Sequence, residues 1–255
     1  MKVLFTGDIH NKLYVLDKIE KLDKKYNFDK IIFMGDYIDN WDSDNHTSLK
    51  VLDKVFNLKK ENMNKYVLLI GNHELSYLGY PCSGHIDYLE DAVTSKLTEN
   101  IDLLDFYFQI KIKNEDFICT HAGLTNEYID EYLGGKDKYK KTLNDWNKNK
   151  LKNLHNLNVT SFYRGGRGRV GSFVWADKKE LFNEFFSKEQ YYAPYQIIGH
   201  TPQKTITHYK NEYYGNSNGE FYFIDTQSTY NDGTMYGDGS FLIFLDDKEV
   251  IEKCS

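Results

Sequence analysis

Five short apolar runs along this chain each break off into a tight polar cluster. Val3-Leu4-Phe5 leads into Gly7-Asp8-Ile9-His10, and Ile31-Ile32-Phe33-Met34 leads into Gly35-Asp36-Tyr37-Ile38-Asp39. Val67-Leu68-Leu69-Ile70 leads into Gly71-Asn72-His73-Glu74, Phe117-Ile118-Cys119 into Thr120-His121-Ala122-Gly123, and Ile197-Ile198 into Gly199-His200-Thr201-Pro202. Continuous apolar runs of this length read as strands buried on both faces. Leu13, Leu16, Ile19 and Leu22 recur at helical spacing between the first two runs, and Leu49, Leu52, Val55 and Phe56 do so between the second and third. Strand, helix, strand, helix and strand over residues 2–71 predict a parallel sheet in an α/β fold.

Residues 75–105 predict at least one further helix. The polar stretch 124–160, rich in Lys, Asn and Tyr and broken at Gly134-Gly135, reads as a helical cap over the site. After the last cluster, Thr205–Tyr209, Phe221–Ile224, Phe241–Leu245 and Val250–Ile251 are β-prone runs parted by Asn, Gly and Asp, which predicts an antiparallel meander. Nothing repeats and no Pro-rich linker interrupts the pattern, so residues 1–255 read as one domain.

Composition narrows the classes. The chain has 255 residues, a net charge of −6 and 40% apolar residues, as a globular protein would. No run approaches the roughly 20 apolar residues that span a bilayer. Met1-Lys2-Val3-Leu4-Phe5 enters the first cluster too soon for a removable leader. Cys82, Cys119 and Cys254 are widely spaced and form no C-x-x-C pair, which fits a reducing cytoplasm. Cys119 reads as a small buried hydrophobe rather than a ligand. The acidic balance leaves no charge footprint for nucleic acid, and neither nucleic acid nor membrane is an expected partner.

Open α/β sheets place their sites at the carboxyl ends of strands. Asp8, His10, Asp36, Asn72, His121 and His200 would therefore meet, and this is the donor set of a two-metal hydrolytic centre. On an extended segment Asp8 and His10 would point the same way. Asp36 is placed to bridge two ions. Mixed carboxylate, carboxamide and imidazole donors suit Mn²⁺, with Fe or Zn²⁺ as alternatives.

Taken in order, these motifs make residues 3 to about 202 resemble the calcineurin-like metallophosphoesterases, and within them the bacterial and phage type of the phosphoprotein phosphatase (Ser/Thr phosphatase) branch. The resemblance implies an αββα sandwich of two packed mixed sheets flanked by helices. It assigns Asp8, His10 and Asp36 to one divalent ion and Asp36, Asn72, His121 and His200 to the other. It implies attack of a metal-bound hydroxide on a phosphate monoester, with His73 as general acid oriented by Asp39. It implies phosphoprotein substrates, with a nucleotide or dinucleoside-polyphosphate hydrolase or a nucleotide phosphodiesterase as the alternative, while the intact ligand set and His73 speak against a non-enzymatic scaffold.

The arginines point the same way independently. Of 32 Lys and Arg residues only three are Arg, and Arg164, Arg167 and Arg169 share the window Arg-Gly-Gly-Arg-Gly-Arg. A guanidinium grips phosphate oxygens in a planar fork that Lys cannot offer. An RNA-binding patch is disfavoured because the window is short and poor in aromatics. The related branch carries a similar Arg-Gly-Gly followed by Gly-Ser-x-x-Trp-Ala, present here as Gly171 to Ala176. Arg164 is the expected phosphate clamp, with Arg167 and Asn72 as further substrate contacts. Four departures stand out: Asn11 replaces a Gly, Asn40-Trp41 replaces the Arg-Gly after Asp39, Gly199-His200-Thr201-Pro202 lacks a second His two residues on, and Asp225-Thr226-Gln227 echoes an Asp-Thr-Gly element with Gln in place of Gly.

Overall fold

The computed structural model describes residues 1–40, 45–80, 90–187, 191–213 and 216–253. In chain order its strands are β1 (Lys2–Thr6), β2 (Lys30–Phe33), β3 (Tyr66–Leu69), β4 (Leu104–Asp105), β5 (Phe108–Ile112), β6 (Glu115–Thr120), β7 (Tyr195–Ile198), β8 (Thr207–Tyr213), β9 (Asn216–Phe223), β10 (Phe241–Leu245) and β11 (Lys248–Glu252). They form a six-stranded sheet ordered β11-β10-β1-β2-β3-β4 and a five-stranded sheet ordered β5-β6-β7-β9-β8. β1 to β4 pair in parallel, as do β6, β7 and β9, while the hairpin strands pair antiparallel. Both sheets are mixed.

Side-chain alternation along each strand divides the core into layers. Val3 and Phe5 of β1 share one layer with Ile32, Val67, Phe117, Ile197 and Tyr222, which closes the gap between the two sheets. Leu4 turns the other way and packs with the stripes of α1 (Leu13–Tyr26) and α2 (Asn45–Glu61), chiefly Val15, Leu16, Val51 and Leu52. Helices therefore lie outside both sheets in an αββα sandwich. Truncating one of the filled aromatic positions between the sheets, such as Phe5 or Phe117, would cost about 3–5 kcal/mol.

Two outcomes differ from the sequence pattern. The expected C-terminal meander is two hairpins in different sheets. β8–β9 pairs onto β7, whereas β10–β11 crosses back and pairs onto β1, with Val3 opposite Phe244. Both destinations satisfy the same apolar alternation, so local pattern could not choose between them. The helices expected in 124–160 are α5 (Asn126–Tyr132), α6 (Tyr139–Lys148) and α7 (Lys150–Leu157). Tyr128, Ile129, Leu143 and Leu154 anchor them in the main core, and none of their residues lines the site cavity described below.

Candidate active site

Six strand ends converge. Asp8 follows β1, Asp36 follows β2, Asn72 follows β3, His121 follows β6, His200 follows β7, and Asp225 follows β9. Asp8, His10, Asp36, Asp39, Asn72, His73, Arg164 and His200 share one cavity of about 690 Å³. Close backbone approach makes this possible. A Cβ on Gly71 would lie 2.1 Å from Asp36 Oδ1, and one on Gly199 would lie 2.6 Å from Asp8 Oδ1.

The loops that carry the ligands are strained. His10, Asp36, Asp39 and His200 have φ of 46°, 52°, 63° and 59°, in the left-handed region. Each costs on the order of 1 kcal/mol and persists because neighbours hold it. Glu74 is such a neighbour: its buried carboxylate accepts from the backbone N–H of Asp36 (2.9 Å), Tyr37 (2.8 Å) and Gly71 (3.0 Å). Here the extended reading of Asp8–His10 fails. β1 ends at Thr6, and the N–H groups of Ile9 and His10 both turn to the Asp36 carbonyl, so Asp8 and His10 meet through a tight turn. His10 Nε2 lies 3.9 Å from Asp8 Oδ2. Likewise Asn72 and His73 open a short helix, α3 (Asn72–Tyr77), and diverge by helical rotation rather than strand alternation.

The donor chemistry calls for cations. His121 Nδ1 lies 2.7 Å from the Met34 carbonyl and can only donate there, so a neutral ring presents a lone pair at Nε2. That atom faces Asn72 Oδ1 at 3.0 Å, His200 Nδ1 at 3.1 Å and Asp36 Oδ2 at 3.3 Å. Four acceptor-capable atoms crowded together repel unless a proton or a cation sits among them. A second group of donor atoms, from His10, Asp36 and His73, shares the Asp36 carboxylate, with His73 Nε2 3.9 Å from Asp36 Oδ2. The two groups share Asp36, so the residues fit a pair of cations.

Charge follows burial. Desolvation, with Asp225 beside it, holds the Asp8 carboxyl well above the usual range. Burial would lower His121, but Asp36 and Asp8 overcome it and raise its pKa to about 9. Burial, helped by His73, pushes His10 down to about 4. Burial likewise lowers His200, with Arg164 and His121 adding to it.

His73, counted above with His10 and Asp36, also has a partner of its own in Asp39. Its Nδ1–H donates to Asp39 Oδ2 at 2.9 Å, and Asp39 Oδ1 accepts the Tyr77 hydroxyl at 2.6 Å. Burial opposes protonation, yet Asp36 and this bond raise its pKa to about 9. Of the arginines, Arg164 alone lines the cavity. Its Nη2 donates to Thr201 Oγ1 at 2.9 Å and its Nε lies 2.9 Å from Asp177 Oδ2. Arg167 is exposed outside the lining, and Arg169 pairs with Glu127 and Glu131 on the surface. Cys119 is fully buried, and its thiol pKa is raised by that burial. Cys82, Cys254 and Trp41 lie outside the described residues.

Sequence reasoning gave no site role to four contributors, although it had noted Asp225 in the Asp225-Thr226-Gln227 element. Asp225 is fully buried beside Asp8, and the signal was present, since Ile224-Asp225 ends a sixth apolar run. Tyr77 lies one helical turn after His73, on the same face. Tyr230 and Tyr236 line the cavity from a loop that no pattern marked.

Comparison with known proteins agrees with this geometry. Residues 1–204 match the family model described as calcineurin-like phosphoesterase. The chain is 23% identical over 209 residues to the serine/threonine-protein phosphatase 2B catalytic subunit A1 of Saccharomyces cerevisiae, covering 77% of this chain and 32% of that protein. It is 30% identical over 127 residues to the serine/threonine-protein phosphatase 6 catalytic subunit of Caenorhabditis elegans, covering 48% of this chain and 36% of that one. The matches thus span about a third of these curated relatives. The fold resembles the cold-active protein-tyrosine phosphatase of a psychrophilic Shewanella species, with a TM-score of 0.58, 17% identity, and coverage of 99% of this chain and 78% of that chain. With the family model covering most of its length and the strand-end ligands in place, the chain belongs to the calcineurin-like phosphoesterase family.

Proposed function

We propose that the protein is a metal-dependent phosphomonoesterase that acts on phosphorylated protein side chains, in the manner of the Ser/Thr phosphatases it is similar to. The observation that carries this reading is the Asp36 carboxylate, shared between the His121–His200 group and the His10–His73 group. Asp8, His10 and Asp36 would hold one divalent ion, and Asp36, Asn72, His121 and His200 the other, with Mn²⁺ favoured by the mixed donors and Fe or Zn²⁺ as alternatives. Bound there, the ions supply Lewis acidity, offsetting phosphoryl charge and acidifying water.

The chain's own groups do the rest. Asp39 accepts the Nδ1 proton of His73 and leaves the second imidazole proton at Nε2, where it can pass to the departing alkoxide. Arg164, held by Thr201 and Asp177, presents its guanidinium to the phosphoryl oxygens. Asp225 and Glu74 fix the backbone and carboxylates around them. Among the described residues no helix is long and apolar enough to cross a membrane. We place the protein in the cytoplasm, with phosphoproteins or small phosphoesters as its partners.

Phosphate release from a phosphoseryl peptide tests the reading. Protein stripped with chelator should be inert and regain activity with Mn²⁺. His73→Asn should lower kcat by about two to four orders of magnitude with metal content intact. Turnover unaffected by either treatment would refute it.

A further inference from the structure

One wall of the cavity belongs neither to the ion ligands nor to the phosphate grip. After Asp225 the chain forms a small hairpin over residues 228–236. Thr229 bridges Met235, the Tyr236 N–H donates to the Ser228 carbonyl (2.9 Å), and the Tyr230 N–H donates to the Thr234 carbonyl (2.8 Å). Asp232 Oδ1 ties the tip by accepting from the Thr234 N–H (2.9 Å) and hydroxyl (2.6 Å). The base is tied to the site as well. Ser228 donates through N and Oγ to Asp225 at 3.2 and 2.7 Å, and Thr229 Oγ1 donates to Asn40 Oδ1 at 2.9 Å.

This fixed backbone carries two rings into the cavity. Tyr230 and Tyr236 lie with centroids 5.2 Å apart at 60°, and Tyr230 remains 48% exposed. The adjacent Tyr191 and Tyr192 do not reach the cavity: Tyr191 is buried with its hydroxyl on the Leu124 carbonyl, and Tyr192 lies outside the lining. An exposed ring on a tied hairpin, in the wall of the cavity that Arg164 also lines, is a surface for another apolar or aromatic face. Asn40 lines the same wall. That wall therefore offers carboxamide and aromatic groups rather than a charged side chain.

We propose that Tyr230 and Tyr236 seat an aromatic leaving group, so that the enzyme favours aryl over alkyl phosphate monoesters, phosphotyrosyl side chains among them. The inference rests on the phosphomonoesterase reading above. In the step, the P–O bond to the phenolic oxygen breaks and a P–O bond to a water oxygen forms. The water releases its proton to solvent, and the phenolate takes its proton from His73 Nε2.

The test compares kcat/KM, with Mn²⁺, for one peptide carrying phosphotyrosine or phosphoserine at the same position, and for AMP. Tyr230→Ala and Tyr236→Ala should each slow the phosphotyrosyl peptide by about 3- to 10-fold, the worth of one aromatic contact, and leave the phosphoseryl peptide unchanged. Tyr230→Phe should behave as wild type. Calorimetric titration should show phenylphosphonate binding more tightly than methylphosphonate, a preference lost in the alanine variants. Equal losses on both peptides, or a loss confined to AMP, would overturn the seat; the latter would make it a nucleobase site. Wild-type protein that turns over no ester yet prefers phenylphosphonate would sink the hydrolase reading and leave the seat standing.

Discussion

Replacing Asp39 by Asn tests the proton path through His73 with almost no change of shape. Asp39 accepts from His73 Nδ1 at 2.9 Å and from the Tyr77 hydroxyl at 2.6 Å, one bond to each carboxylate oxygen. In Asp39→Asn the hydroxyl of Tyr77 should keep the amide oxygen on its own side, turning the amide NH₂ toward His73. That NH₂ can only donate to an unprotonated Nδ1, so the imidazolium is disfavoured. Loss of a charge-assisted bond worth about 1.5–3 kcal/mol corresponds to a drop of about 1–2 pKa units, from the present value of about 9. With its pKa at about 7–8 the ring stays largely protonated at pH 7, so kcat on a phosphoseryl peptide should fall only about twofold there, but by about one order of magnitude or somewhat more at pH 9. The loss on 4-nitrophenyl phosphate should be much smaller, because its leaving group needs little protonation. Adding Tyr77→Phe frees the amide to rotate and should restore about tenfold at the higher pH, or about 1.4 kcal/mol. Steady-state kinetics with both esters, alongside metal analysis, reads all of this. Equal losses on the two esters at the higher pH, or wild-type activity on the peptide there, would refute the assignment.

Further expectations follow from the same geometry. Arg164→Lys keeps the charge but loses the planar fork, so kcat/KM should fall by about 1–3 kcal/mol and inorganic phosphate should inhibit less, with metal content unchanged. Arg169→Lys, in an exposed pair, should shift stability by no more than about 1 kcal/mol and leave kinetics alone; Arg167→Lys, outside the cavity lining, should do the same. In cation-free protein, histidine NMR should show His73 and His121 keeping their protons to about pH 9. Both are raised above an ordinary value of 6.5, so they stabilise the fold fully below that pH, and this contribution is lost as pH rises through about 9. An entering ion must displace the His121 proton, so ion affinity should climb between those limits. A flat affinity profile would count against His121 as a ligand.

Much of the site was legible because each ligand ends an apolar run. Buried parallel strands have little freedom, so Asp8, Asp36, Asn72, His121 and His200 had to gather at one edge. Local backbone was less legible. The turn that brings His10 back to Asp8 depends on a left-handed residue and on N–H bonds from Ile9 and His10 to Asp36, which lies far along the chain past α1 and β2 and is invisible to periodicity. The split of the last strands between two sheets is a tertiary choice, made by the free edge of β1 and not by their composition. Arg167, expected beside Arg164 as a substrate contact, is exposed outside the cavity, and Arg169 is held by Glu127 and Glu131, about forty residues upstream, which no local pattern could show. The tyrosine hairpin was silent because Tyr is abundant in this chain and its turn residues resemble any loop.

Metal stoichiometry bears most directly on the central claim, that one carboxylate organises two ions. Elemental analysis of protein purified without chelator, compared with Asp36→Asn, should find close to two transition ions per chain in the wild type and a loss from both sites in the variant. Two ions retained without the Asp36 carboxylate, or none in the wild type after equilibration with Mn²⁺, Fe or Zn²⁺, would contradict it.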